Sequence, residues 1–182
     1  MPRYLLWLLL PWLLPTQAAN EQPKPYDVDE AYDIFSTVLA MEKQKDDTLL
    51  IGDTTVPFNL CLEKRSDKLA DSAIEDYKKT NNSRWRLQHR FNLDHPYQLM
   101  AADQQRHRSK RATIEAKGIY HFSAIGFSPD KSIAFVEMDF VCGGLCGHGR
   151  PYILQKKDGK WELYDFRWTK RTQLPVICSW AY

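Results

Sequence analysis

The tetrapeptide Lys157-Asp158-Gly159-Lys160 constrains this chain more than any other feature. Asp-Gly between two strand-like runs closes a two-residue hairpin, because both positions tolerate the positive φ that such a turn requires. The flanking runs, 152–157 and 161–168, read as strands. Upstream, residues 133–142 alternate: Ala134, Val136, Met138, Phe140 and Cys142 share one face, while Glu137 and Asp139 share the other. Residues 119–127 form a further strand, closed by the turn residues Ser128-Pro129-Asp130-Lys131. Strands joined by short loops imply an antiparallel meander in the C-terminal half of the chain.

The first half of the chain has helical periodicity instead. Val28, Ala31, Tyr32, Phe35, Val38 and Leu39 mark one apolar face, with Asp27 and Glu30 at capping-box spacing before it. A second helix is predicted over 67–79, with Ala70, Ala73, Ile74 and Tyr77 on one side. Between the helices, 49–51 reads as a short buried strand. Asn81-Asn82-Ser83 is turn chemistry and also spells a glycosylation acceptor. Trp85, Leu87, His89 and Phe91 alternate with polar residues and predict a half-buried strand. Helices first and strands after predict an α+β fold, with N-terminal helices packed on one face of a C-terminal antiparallel β-meander.

The extreme N-terminus reads as a leader. Arg3 precedes an apolar run over 5–14 interrupted by Pro11, and Thr16 and Ala18 supply the small residues for a cut after Ala18. A membrane span needs roughly 20 apolar residues, and this run is about half that. The expected organisation is a signal peptide over 1–18, a disordered lead-in over 19–26 and a single domain over 27–182. Export places the chain in the periplasm or outside the cell, with no membrane span in the mature form. The whole sequence has 25 Lys and Arg against 23 Asp and Glu; losing Arg3 lowers the first count to 24 and leaves a net charge of +1. That balance gives no global reason to expect nucleic acid as a partner. The basic run Arg106-His107-Arg108-Ser109-Lys110-Arg111 has no apolar period and reads as a solvated loop, with a polyanion patch as the alternative.

Cys142-Gly143-Gly144-Leu145-Cys146-Gly147-His148-Gly149 lies between two of the strands. Four cysteines in an exported chain predict disulfides. The glycines let a Cys142–Cys146 ring close, and Cys61 with Cys178 would form the second pair. Chain entropy assigns about 2 kcal/mol to the short ring and about 5 kcal/mol to the long one. Zinc held by Cys142, Cys146 and His148, with His121 as fourth ligand, is an alternative that lacks a second ligand pair. A reactive thiolate beside His148 is another, but a thioredoxin-type motif has two intervening residues and opens a helix. No metal, cofactor or catalytic set is assigned from the sequence.

Residues 125–130, 134–136, 142–149 and 154–161 together resemble a group of uncharacterised exported bacterial proteins. These combine a Cys-Gly-x-Leu-Cys-Gly-x-Gly loop with an Asp-Gly-Lys-Trp hairpin. The resemblance covers about half of the mature chain. It implies a bacterial periplasmic or extracellular protein and carries over no catalytic residue. The 106–111 segment, Cys61 and Cys178 lie outside the motif. The last hairpin and the element order also resemble a cystatin-like roll.

The leading functional expectation is a non-catalytic binding or interaction module with a cell-envelope or extracellular partner. Its contact loop would be Gly143, Gly144, Leu145, Gly147 and His148, with Tyr152, Trp161, Tyr164 and Trp168 nearby. The rivals are an enzyme of unknown class using His121 or His148 on the sheet face, and polyanion binding through 106–111.

Overall fold

A computed structural model describes residues 22–42, 48–57, 68–105, 118–143 and 146–164. The alternating segment becomes the longest strand of the first half of the meander, β7 (Ile133–Gly143), paired antiparallel with β8 (Cys146–Lys157). The hairpin continues into β9 (Lys160–Leu163) through Asp158 and Gly159, whose φ values are 50° and 77°. Those angles are what the Asp-Gly pair predicts. At the preceding turn, Lys131 also takes positive φ. The Asp130 carboxylate there accepts bonds from the hydroxyls of Ser128 and Ser132 and from the Ser132 N–H.

On the other side of β7 lies β5 (Ile119–Phe122), antiparallel to it, followed along the same edge by β6 (Gly126–Phe127). The single strand expected over 119–127 is therefore interrupted at Ser123-Ala124-Ile125. Side chains take over the ladder bonds there. The Ser123 hydroxyl accepts from the Glu137 N–H, the Asn81 amide brackets Ala124, and the Ile125 N–H donates to the Tyr26 hydroxyl at 2.9 Å. Buried backbone groups must be paired, so these side chains are what allow the break.

Two earlier strands extend the sheet. β2 (Leu49–Gly52) runs parallel to β5 on one side and to β4 (Tyr97–Met100) on the other. The main order is β4-β2-β5-β7-β8-β9. A separate small pair joins β1 (Lys24–Pro25) to β3 (Trp85–Arg86). The fold class is α+β, as the sequence predicts.

The helices are arranged differently from the expectation. α1 (Asp29–Met41) buries Tyr32, Phe35, Val38 and Leu39 against Phe122, Val136, Met138, Leu154 and Trp161. α2 (Lys68–Thr80) packs Ala73, Ile74 and Tyr77 against Ile133 and Phe135. Successive strand residues point to opposite faces, so even and odd positions of β7 meet different helices. The helices thus cover opposite faces of the sheet, and the expectation of one covered face is corrected. The apolar residues Ile133 and Phe135, between the even positions, are the physical reason. Gly126 permits the close approach of α2, since a Cβ there would collide with the helix backbone at Ala73 and Tyr77.

Three local expectations are also corrected. The capping box does not form: Val28 is the N-cap and makes no side-chain cap bond. Instead Asp27 faces Arg90, and Glu30 faces Lys156. The lead-in expected over 19–26 is ordered at its end, where Lys24 and Pro25 form β1 and Tyr26 is buried. The strand expected around Trp85–Phe91 shortens to β3, because α1 side chains take its backbone bonds. The Gln88 N–H donates to the Tyr32 hydroxyl and the Asn92 N–H to the Ser36 hydroxyl, each at 2.9 Å.

Candidate functional site

The glycine-cysteine segment is a hairpin tip more than a loop. Cys146, Gly147, His148 and Gly149 already belong to β8, opposite Gly143, Val141, Phe140 and Asp139. Cys142 and Cys146 are joined by a disulfide across the tip, with their Cα atoms 5.1 Å apart, a separation at which the bond forms readily. A register shift between Val141 and Gly143 accommodates it. Gly144 and Leu145 lie outside the described residues, as do Cys61, Cys178, Trp168 and the basic run 106–111.

Even positions of β8 turn toward the α1 side and converge on one carboxylate. Glu42, at the C-cap of α1, accepts a 2.5 Å bond from the Tyr152 hydroxyl. His148 Nε2 lies 3.3 Å from its other oxygen, and Arg150 Nε lies 3.8 Å from Oε1. The His148 ring also rests against Phe140, with centroids 5.5 Å apart. Glu42 thus ties the hairpin to the end of α1, and His148 is held in that brace. Tyr152 and Trp161, expected at a contact surface, are core residues, and Tyr164 packs beside the α2 cluster. Among the described residues of the tip, Val141 and Cys146 are exposed to solvent.

The zinc set is not assembled. His121 stands opposite Asp139 and His148 opposite Phe140, so the two imidazoles leave the sheet on opposite faces. The two thiols are bonded to each other. Among the described residues, no group of three or more His, Cys, Asp and Glu side chains is placed to hold a metal ion.

The α2 face holds an arrangement that sequence reasoning missed. Glu137 and Asp139, which share the other face of β7, are buried at 2% and 6% exposure. The Tyr77 hydroxyl of α2 donates to Glu137 Oε2, and Oε1 has no hydrogen-bond partner. Burial pushes the Glu137 carboxyl up to about 8 against the opposing pull of the Tyr77 bond, and the neighbouring Asp139 adds to the rise. Burial likewise raises Asp139 to about 6, with His148 pulling it back. His121, also desolvated, has its pKa lowered. Gly149 gives the Asp139 carboxylate its place, since a Cβ there would collide with Oδ1. The signal in the sequence was Ile133 and Phe135 leading the same face, together with an apolar side of α2 that needed a surface to cover.

Comparisons with family models, with curated proteins and with solved structures return no match for this chain. No helix among the described residues is long and apolar enough to cross a membrane.

Proposed function

We propose that this chain is an exported, non-catalytic binding module whose contact element is the tip of the β7–β8 hairpin, with a partner in the cell envelope or outside the cell. The observation that carries the reading is the double fixing of that hairpin: a disulfide at its tip and the Glu42 brace at its stem. A contact element held in one conformation loses little entropy on binding, which is the physical advantage of preorganisation. Val141 supplies an exposed apolar anchor beside the disulfide. Export is supported by the leader-like first 18 residues and by the disulfide itself.

Amide NMR of the full mature protein, titrated with soluble cell-wall fragments and envelope extracts, tests the proposal. Shifts concentrated over 140–149 and lost in the C142S/C146S double variant are expected. Shifts confined to the α2 face, with the tip silent, would overturn it.

The enzyme reading draws on one observation, His121 standing across from Asp139 in the β5–β7 register. An imidazole beside a carboxyl has the composition of an acid–base pair. In its His148 form the same reading is weakened by the Glu42 brace. Polyanion binding through 106–111 rests on sequence alone, and unchanged heparin retention after charge removal there would dismiss it. A cystatin-like roll has the antiparallel run β5-β7-β8-β9 in its favour; the parallel pairs of β2 and a helix on each face speak against it.

A further inference from the structure

Glu137 sits where a carboxylate is expensive. It lies mid-strand on β7, covered by α2, with one oxygen bonded to the Tyr77 hydroxyl and the other unpartnered. An ionised carboxylate in that position has to be neutralised by a cation or by a proton. The groups around it show which.

From β7 itself the nearest charge is Asp139, two residues on and on the same face. From β5, His121 stands opposite Asp139, and Ser123 spends its hydroxyl on the Glu137 N–H. From β8, the residues facing Glu137 and Asp139 are Pro151 and Gly149, which bring no charge. The basic side chains of that strand stretch, His148 and Arg150, leave on the other face and meet Glu42. From α2 come Tyr77 and Asp76, the latter accepting the Phe127 N–H, while Lys78 and Lys79 are exposed. Among the described residues, no Lys or Arg forms an ion pair with Glu137 or Asp139.

We propose that Glu137 and Asp139, between Tyr77 and His121 on the α2 face, form a buried proton-binding site: Glu137 carries a proton at neutral pH, and losing it weakens the docking of α2 on the sheet. The site is independent of the hairpin tip and of its partner. Protonated Glu137 favours the docked helix, and that contribution is lost as pH rises. As the medium becomes alkaline, Glu137 ionises against the Asp139 charge, and the Tyr77 bond then ties α2 to a buried anion.

Two measurements on the full mature protein test this. Infrared difference spectroscopy at pH 7 is expected to show the carbonyl stretch of a protonated carboxylic acid, absent in Glu137→Gln. Denaturant midpoints between pH 6.5 and 9 are expected to fall with pH in the wild type and to stay nearly level in Glu137→Gln. In Asp139→Asn the fall is expected at higher Glu137 acidity, that is, at lower pH. The proposal is overturned by a wild type with no protonated-acid band at pH 7, or by a Glu137→Gln protein that keeps the wild-type slope. If Glu137→Gln does not fold, the wild-type pH series of the infrared band decides alone.

Discussion

The side chain of Asn81 pairs with Ala124 as a strand would: its Nδ2 donates to the Ala124 carbonyl and its Oδ1 accepts the Ala124 N–H, both at 2.9 Å. Nδ2 also donates to the Tyr77 carbonyl, so the turn after α2 is fastened to the gap between β5 and β6. Asn81→Ala leaves a buried N–H and C=O without partners, and a loss of about 2–3 kcal/mol is expected in denaturant unfolding. The same geometry makes Asn81 incompatible with a glycan in the folded chain, because its amide is buried and committed.

Gly126→Ala is predicted to destabilise by about 1–3 kcal/mol, since the added methyl meets the backbone of α2, which cannot rotate aside as a side chain can. Gly159→Ala is the comparison: nothing lies within 4 Å of its Cβ position, and the cost is only that of positive φ, about 1 kcal/mol. Thermal midpoints of the two variants should rank accordingly.

Removing the tip disulfide with Cys142→Ser and Cys146→Ser should cost about 2 kcal/mol or less, since the closed ring is short. The core of Phe35, Phe122 and Val136 lies elsewhere in the fold, so the near-ultraviolet circular dichroism should remain native. Global unfolding at ambient temperature would contradict the division between tip and core.

Glu42→Ala should loosen the hairpin stem at a cost of about 1–3 kcal/mol, because the half-buried Tyr152 hydroxyl loses its acceptor. Glu42→Gln keeps an acceptor for that hydroxyl and should recover part of the loss. Hydrogen exchange along 146–152 is the direct readout.

The pH profile follows from the signs. Asp139, raised from 3.8 to about 6, and Glu137, raised from 4.5 to about 8, hold protons in the folded state that the unfolded chain has released. Each therefore contributes stability that is complete below its unfolded pKa and is lost as pH rises through the folded one. His121, lowered by burial, works the other way and favours the fold as pH climbs toward 6.5. Stability should decline between about pH 4.5 and 6, and above pH 6.5 the loss should come mainly from Glu137, at roughly 1 kcal/mol per pH unit, flattening as pH passes about 8. A midpoint that rises across the upper window would refute the assignment.

The sequence announced what is local. The Asp158-Gly159 turn, the period of α1, the even face of β7 and the Cys142–Cys146 bond each depend on residues close together in the chain. It was silent where distant groups decide. β4 is four residues without alternation, and only its parallel partner β2 makes it a strand. The side chains at 85–91 alternate as a strand's do, yet Tyr32 and Ser36 claim the backbone bonds a neighbouring strand would need. The alternation placed Glu137 and Asp139 together on one face of β7 but did not show that α2 crosses that face and buries them.

The packing of α1 also has a consequence for synthesis. Ribosomes deliver this helix early, but what it rests on, Phe122, Met138, Leu154 and Trp161, is encoded in the second half of the chain. β2 waits in the same way for β5. Nascent protein must therefore carry an uncovered greasy helix until translation is nearly finished, a state that invites chaperone binding and keeps the polypeptide threadable. Truncations ending before β8 should consequently be recovered as aggregates or holdase complexes instead of smaller native domains.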